Sequence, residues 1–308
     1  MNNNLYLIVP FFNFNKSKAA EESLQFFLNQ KFEEDTKIIV VQGLMDEQQP
    51  LQITDIYKHL TVKIPHKLWL QNNLINYGIN HLPSDWKYVA WCDRDIVFCD
   101  HLWSKKVIQK LNEVDILQPF SNCFHLSETG AVDLQEQKEL FKPGFGEKNG
   151  YAITSFCKHF CLHGPEIDYD IFRHTGHIWA ANRTFFEKTG GKLFDKAFLG
   201  AADIILSSSI KQIKNEFYES IFINEYLDYY SFFQKKDTKV GYCDGVILHR
   251  NHGSIKTRMY NQRYAPFIQD PYFDINIDIS YNQDGILQIS ERGQRFSKYI
   301  DWYFSSRN

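Results

Sequence analysis

The stretch Tyr88-Val89-Ala90-Trp91-Cys92-Asp93-Arg94-Asp95-Ile96-Val97-Phe98 decides how the rest of the chain is read. Tyr88 to Trp91 is an apolar run of the kind that forms a buried strand. Asp93-Arg94-Asp95 interrupts it, and apolar residues resume at Ile96. Carboxylates inside core-type sequence are costly unless a partner compensates them. With a strand period of two, Asp93 and Asp95 face the same side of the chain. Two hard oxygen ligands at the end of a buried strand suit Mg²⁺ or Mn²⁺ carrying a diphosphate. The competing reading is a charged turn between two strands, with Arg94 pairing locally.

Toward the N-terminus, Leu5 to Phe12 predicts a strand. Ser17 can cap a following helix, predicted with an apolar face of Ala19, Ala20, Leu24, Phe27 and Leu28. Lys37 to Val41 predicts a second strand, closed by Gln42-Gly43, and Val62 to Ile64 a short third. Strands alternating with helices predict an α/β fold with a mostly parallel sheet. Ligands of such sheets bind beyond the carboxyl ends of the strands, a rim that takes in Asn13, Gly43 and Asp95. Between the third strand and the opening stretch, Leu68, Ile75 and Ile79 recur at helical spacing, and so do Asn72, Asn76 and Asn80. That Asn stripe is either a solvated face or, at Asn76, a nucleotide contact.

Toward the C-terminus, Leu102 to Leu111 predicts a helix and Asp115 to Gln118 a strand. Ser121 to Gly150 is polar and glycine-bearing, long enough to predict a functional loop or lid. Cys157, His159, Cys161 and His163 are zinc-ligand residue types. In a strand the first and last would lie roughly 20 Å apart, so one ion does not hold all four unless the run is a loop. Thr175 to Arg183 predicts another strand, whose Gly176, Ala180 and Ala181 permit close approach of a ligand. Asp203 opens the apolar helix Ile204 to Ile210, either as its N-cap or as a carboxylate base. Val240 to Arg250 predicts a strand leading into His249-Arg250-Asn251-His252-Gly253, where an imidazole can reach a metal. Lys256, Arg258 and Arg263 follow, cations of the kind that clamp a diphosphate.

The chain has 308 residues, 44% hydrophobic, with a mean hydropathy of −0.40, which predicts a globular protein with a substantial core. A net charge of −3 argues against nucleic acid as a partner. The six cysteines are irregularly spaced without a C-x-x-C pair, which predicts reduced thiols and a cytoplasmic protein. The apolar run at Leu5 to Phe12 is too short for a signal peptide. No transmembrane segment is predicted, leaving at most a peripheral membrane contact.

Taken together, several ordered blocks resemble the nucleotide-sugar glycosyltransferases of the GT-A class. Leu68-Trp69 through Asn76 and Leu82-Pro83, followed by Val89 to Phe98, is similar to the block that ends in the family's Asp-x-Asp motif. Gly176-His177 through Ala180-Ala181-Asn182-Arg183, then Gly190-Gly191 and Phe194-Asp195, resembles the acceptor-side block. Gly200-Ala201-Ala202-Asp203 stands where many members carry an acidic motif. His249 with His252-Gly253, then Arg258 and Arg263, resembles the terminal His-x-x-His-Gly block. Two positions depart from the pattern. Gln71-Asn72 replaces a frequent Lys-Glu pair, and Ala202 replaces the Glu expected before the catalytic Asp.

The resemblance implies a Rossmann-like GT-A domain over residues 1–255, with a C-terminal extension over 256–308 packed on it. It implies a metal-dependent enzyme moving a hexose from a UDP-sugar to a hydroxyl acceptor on a glycan, lipid-linked sugar or protein. Asp95 binds Mn²⁺ or Mg²⁺, Asp93 the metal or the ribose, and His249 is a third ligand, with His252 as the lesser candidate. Asp203 is the base, which implies inversion, and Asn13 and Asn76 sit near the nucleotide. Two other readings stay open. A nucleotidyltransferase calls for a Gly-rich loop after the first strand, whereas Pro10 to Lys18 contains no glycine. A catalytically degenerate nucleotide binder is favoured by Ala202.

Overall fold

The strand Leu5–Phe12 (β1) forms where the sequence predicts it, and its alternating side chains divide between two cores. Tyr6 and Ile8 join one buried cluster, while Leu5, Leu7, Val9 and Phe11 join the other. Thr36–Leu44 (β2) divides the same way, with Ile39 and Val41 on one side and Ile38 and Val40 on the other. A strand that buries both faces belongs inside a sheet covered by helices on both sides. The structure, a computed structural model, describes residues 3–134, 152–165, 173–234, 237–251, 259–260 and 262–306.

The main sheet has seven strands. Besides β1 and β2 these are Lys58–Lys63 (β3), Tyr88–Cys92 (β4), Ile116–Gln118 (β6), Ile178–Asn182 (β10) and Val240–Tyr242 (β11). Their order is β11-β6-β10-β4-β1-β2-β3. β10 runs antiparallel to both neighbours, and the other pairings are parallel. The chain steps outward from β1 to β2 and β3 on one side, then returns to place β4 on the other. The order therefore reverses between β1 and β4, which is where open α/β sheets bind ligands.

A second sheet lies beyond the carboxyl ends of these strands. It contains Ile96–Phe98 (β5), Val246–His249 (β12), Asn122–His125 (β7), Ile153–Ser155 (β8) and Arg173–His174 (β9), in the order β5-β12-β7-β8-β9. Three main-sheet strands hand the chain directly to it: β4 to β5 across 93–95, β6 to β7 across 119–121, and β11 to β12 across 243–245. Two sequence readings are corrected here. Tyr88 to Phe98 is two strands in two sheets, with Asp93 outside regular structure and residues 94 and 95 in a turn. The period-of-two argument for its carboxylates therefore does not apply. Val240 to Arg250 likewise splits, because Gly245 and its neighbours break the strand between sheets.

Helices cover both faces. Lys18–Leu28 and Trp103–Lys110 pack one side through Leu24, Phe27, Trp103 and Val107. Gln71–Asn80, Ala202–Ile210 and the helical stretch Glu216–Gln234, broken by a kink at Ile223, pack the other. Gly78 lets the helix 71–80 lie close on the sheet, since a Cβ there would stand 3.0–3.1 Å from Val41 and Ile8 methyl carbons. The Asn stripe of that helix is not solvated at its centre. Asn72 Nδ2 donates to the Phe194 carbonyl at 2.9 Å, and buried Asn76 bonds Leu193 at both its amide and its carbonyl. Tyr264, Phe267, Ile300 and Tyr303 of the C-terminal region join the same buried cluster as Tyr6 and Ile8.

Phe156–His163 is a helix, capped by Ser155 Oγ accepting from the Lys158 amide, so the strand spacing weighed for its Cys and His residues is the wrong period. His159 and His163 lie one turn apart with tilted rings, their centroids at 4.5 Å. All six cysteines are free thiols. Among the described residues no helix is long and apolar enough to cross a membrane.

Candidate functional site at the sheet rim

Because β10 is antiparallel, its amino end meets the carboxyl ends of its neighbours. Ile178 pairs with Cys92, and the Asp93 amide donates to the His177 carbonyl at 2.8 Å. His177 has φ 74°. A left-handed backbone is costly for a residue with a Cβ and tends to be retained at functional sites. Here it turns the His177 ring into the space between the two sheets.

Three carboxylates converge on this rim. Gln71 Nε2 donates to Asp93 Oδ1 at 2.5 Å, and Trp69 Nε1 donates to Gln71 Oε1 at 3.1 Å, so a neutral amide stands where the resemblance expects a lysine. Asp95 is buried in its turn, and its backbone carbonyl accepts from the Arg250 amide at 2.7 Å. Asp203 Oδ2 accepts from Thr175 Oγ1 at 2.7 Å. A Cβ on Gly176 would stand 3.3 Å from that same oxygen, so the missing side chain leaves it uncovered. Burial, then repulsion from Asp95 and from Asp203, pushes the Asp93 carboxyl well above its ordinary value. Asp203 is tied to this rim through Gly176, the neighbour of His177, whose Nδ1 lies 3.9 Å from Asp93 Oδ2.

Asp203 is not the helix N-cap. Ala201 holds that position with φ 89°, and Asp203 follows in the first turn. Its carboxylate thus sits in the positive end of the helix field, while its hydrogen bond goes across to Thr175.

The second sheet supplies imidazoles. β12 pairs antiparallel with β5 and parallel with β7, which sets His249 opposite both Ile96 and His125. His249 Nε2 lies 3.7 Å from Asp95 Oδ1. The rings of His125 and His177 lie 4.7 and 4.6 Å from the His249 ring, and His174 stacks on His177 at 3.5 Å. Cys123 Sγ is 3.4 Å from His177 Nε2, and the opposite ring atom, Nδ1, faces Asp93 Oδ2 at 3.9 Å.

Of the residues expected from the sequence, Asp93, Asp95, Asp203 and His249 come together. Asn13 lies at the rim, but its side chain closes the turn into the first helix, accepting from the Ser17 amide at 2.8 Å and donating to the Ser17 carbonyl at 2.9 Å. Asn76 is used inside the protein, as described above. Arg263 is buried beside Gly200, where a Cβ would meet its Nη1 at 3.0 Å, and its guanidinium lies over Tyr260. Lys256, Arg258 and His252 lie outside the described residues.

Cys123, His125, His174 and His177 were missed. Cys123 and His125 fall inside the polar stretch read as a loop, and the only signal for them was the Cys-x-His spacing that puts two side chains on one face of a strand. His177 sat next to a glycine read for its smallness.

A metal ion fits part of this arrangement. Two donors bonded to one Mg²⁺ or Mn²⁺ at about 2.1 Å lie about 3–4 Å apart. The 3.7 Å between Asp95 and His249 is in that range. No protein-family model matches the chain, and no curated protein matches it.

Proposed function

We propose that this chain is a metal-dependent glycosyltransferase of the GT-A type, moving a hexose from a UDP-sugar to a hydroxyl acceptor with inversion. The observation that carries the reading is the 3.7 Å approach of His249 to Asp95, with Asp93 just after β4 and Asp203 against Gly176 on the same rim. Asp95 and His249 would hold the metal, with Asp93 beside them. When bound, a divalent ion neutralises the diphosphate that leaves with the nucleotide.

The chain's own groups account for the remainder. Gln71 and the His177 carbonyl fix the Asp93 side chain and backbone, so its carboxylate is held in place before any ligand arrives. Asp203 is the group that takes the acceptor's proton. Thr175 occupies one side of Oδ2 and orients the carboxylate, and the absent side chain at Gly176 leaves the approach open. Arg263, stacked against Gly200, braces the turn from which Asp203 projects.

The test is release of UDP from a panel of UDP-hexoses, followed with and without Mn²⁺. The reading predicts Mn²⁺-dependent release by the wild-type chain and none by Asp203→Asn. Nucleotide binding with no release from any donor would favour the degenerate binder.

A further inference from the structure

We propose that Cys123, His125 and His177 form a second, chemically distinct metal site, one that takes Zn²⁺ or a similar thiolate-preferring ion. The proposal rests on donor geometry and stands or falls independently of the transferase reading.

One donor atom from each of the three residues lies within 4.8 Å of the others, and all three residues are buried. The local structure explains why they converge. Cys123 and His125 are two apart on β7, whose burial alternates so that both face inward. His177 is brought to them by its left-handed backbone at the start of β10. The separation between Cys123 Sγ and His177 Nε2 is 3.4 Å. A tetrahedral zinc with Zn–S of about 2.3 Å and Zn–N of about 2.0–2.1 Å sets those atoms about 3.5 Å apart.

The donor chemistry separates this site from its neighbour. Carboxylates favour Mg²⁺ and Mn²⁺, whereas thiolate and imidazole favour zinc. Cys123 has no carboxylate in its donor set, while Asp95 and His249 have no sulfur. The ring of His177 spans the two groups, with Nε2 toward Cys123 and Nδ1 toward Asp93. At 3.9 Å from Nδ1, the Asp93 carboxylate faces the ring from beyond hydrogen-bond distance. His174, flat against His177, holds the plane of the ring. Three protein ligands leave a fourth position, which is a pattern of zinc sites that are not closed.

Binding converts the Cys123 thiol to a thiolate and releases its proton to solvent. The occupied site therefore ties β7 to β10 and fixes the imidazole that faces Asp93.

The experiment is Co²⁺ titration of the full, metal-stripped chain, read by absorption. The expected result is a near-ultraviolet sulfur-to-cobalt charge-transfer band with intense visible bands, saturating at about one ion per chain and bleached by Zn²⁺. Cys123→Ser should abolish the charge-transfer band and weaken Co²⁺ binding more than about a hundredfold. Asp95→Asn should leave the band in place. Absence of the band in the wild-type chain overturns the proposal, and so does its persistence in Cys123→Ser, which would assign it to another cysteine. If Cys123→Ser does not fold, His125→Gln is read instead. A band of unchanged shape and affinity in that variant overturns the site.

Discussion

His249 Nε2 stands 3.7 Å from Asp95 Oδ1, and the two residues reach each other because β12 lies antiparallel against β5. The contact is made at one end of the second sheet, where the turn from β4 enters β5 and His249 pairs with Ile96. It gives the candidate metal site one carboxylate from the turn after β4 and one imidazole from the end of β12.

Removing that carboxylate should remove the metal without removing the fold. Asp95→Ala is expected to abolish Mn²⁺-dependent UDP binding by calorimetry, with the metal-free melting temperature within a few degrees of wild type. Unchanged UDP affinity in the presence of Mn²⁺ would take Asp95 out of the site.

On the proposed reading, Asp203 and Thr175 serve proton transfer and not donor binding. Asp203→Asn should keep UDP affinity and stop transfer. Thr175→Val removes the 2.7 Å bond to Oδ2 and is expected to lower kcat about tenfold, since a hydrogen bond to a charged group is worth about 1.5–3 kcal/mol. A fall in UDP affinity, with kcat unchanged, would make the pair a structural brace.

The raised Asp93 carboxyl gives a pH signature. The folded chain keeps this proton at pH values where the unfolded chain, near the ordinary value of 3.8, has released it. Its contribution to stability is complete below about pH 4 and is lost as pH rises through the raised value. The metal-free melting temperature should therefore fall across that interval in wild type and fall less in Asp93→Asn. Because a cation displaces the same proton, the melting-temperature gain from Mn²⁺ should grow with pH. Identical pH profiles for the two chains would show that Asp93 is not perturbed.

The C-terminal region carries an anchor of the opposite sign. Asp278 is fully buried and accepts from Arg292 Nε and Nη2 at 2.9 and 2.8 Å, and from Arg295 Nη1 and Nη2 at 2.5 and 3.1 Å. Burial acts to raise this carboxyl, but the two guanidinium groups outweigh it and hold it down at about 2. Lowering it from 3.8 contributes about 2 kcal/mol above pH 4, lost as pH falls toward 2. Asp278→Asn should cost about that much in urea unfolding at neutral pH and nothing near pH 2. Gly293→Ala should destabilise at every pH, because its Cβ would collide with the Asp278 carbonyl oxygen.

Local signals made much of the frame legible. Leu5 to Phe12 was readable because an unbroken apolar run marks a strand buried on both faces, and the helix near Leu24 and Phe27 because its apolar spacing matches the helical period. The Asp93, Asp95 and Asp203 carboxylates stood out because they interrupt or open apolar runs. What local pattern does not carry is the passage between sheets. Tyr88 to Phe98 and Val240 to Arg250 each look continuous, yet each spans two sheets through a short polar break. Phe156 to His163 was weighed at strand spacing although it folds as a helix, since short runs of mixed Phe, Cys and His fit either period. The imidazole cluster depends on the pairing of β7 with β12 and on the left-handed His177, both tertiary facts.

The central claim is a nucleotide site that depends on a divalent metal at Asp95 and His249. Its most direct test is thermal unfolding of the full chain with UDP, GDP and CMP, each with and without Mn²⁺. A ligand that binds only the folded state raises its melting temperature by mass action. The account predicts a rise with UDP when Mn²⁺ is present and none when it is absent. No rise with any of the three nucleotides in Mn²⁺ would contradict it.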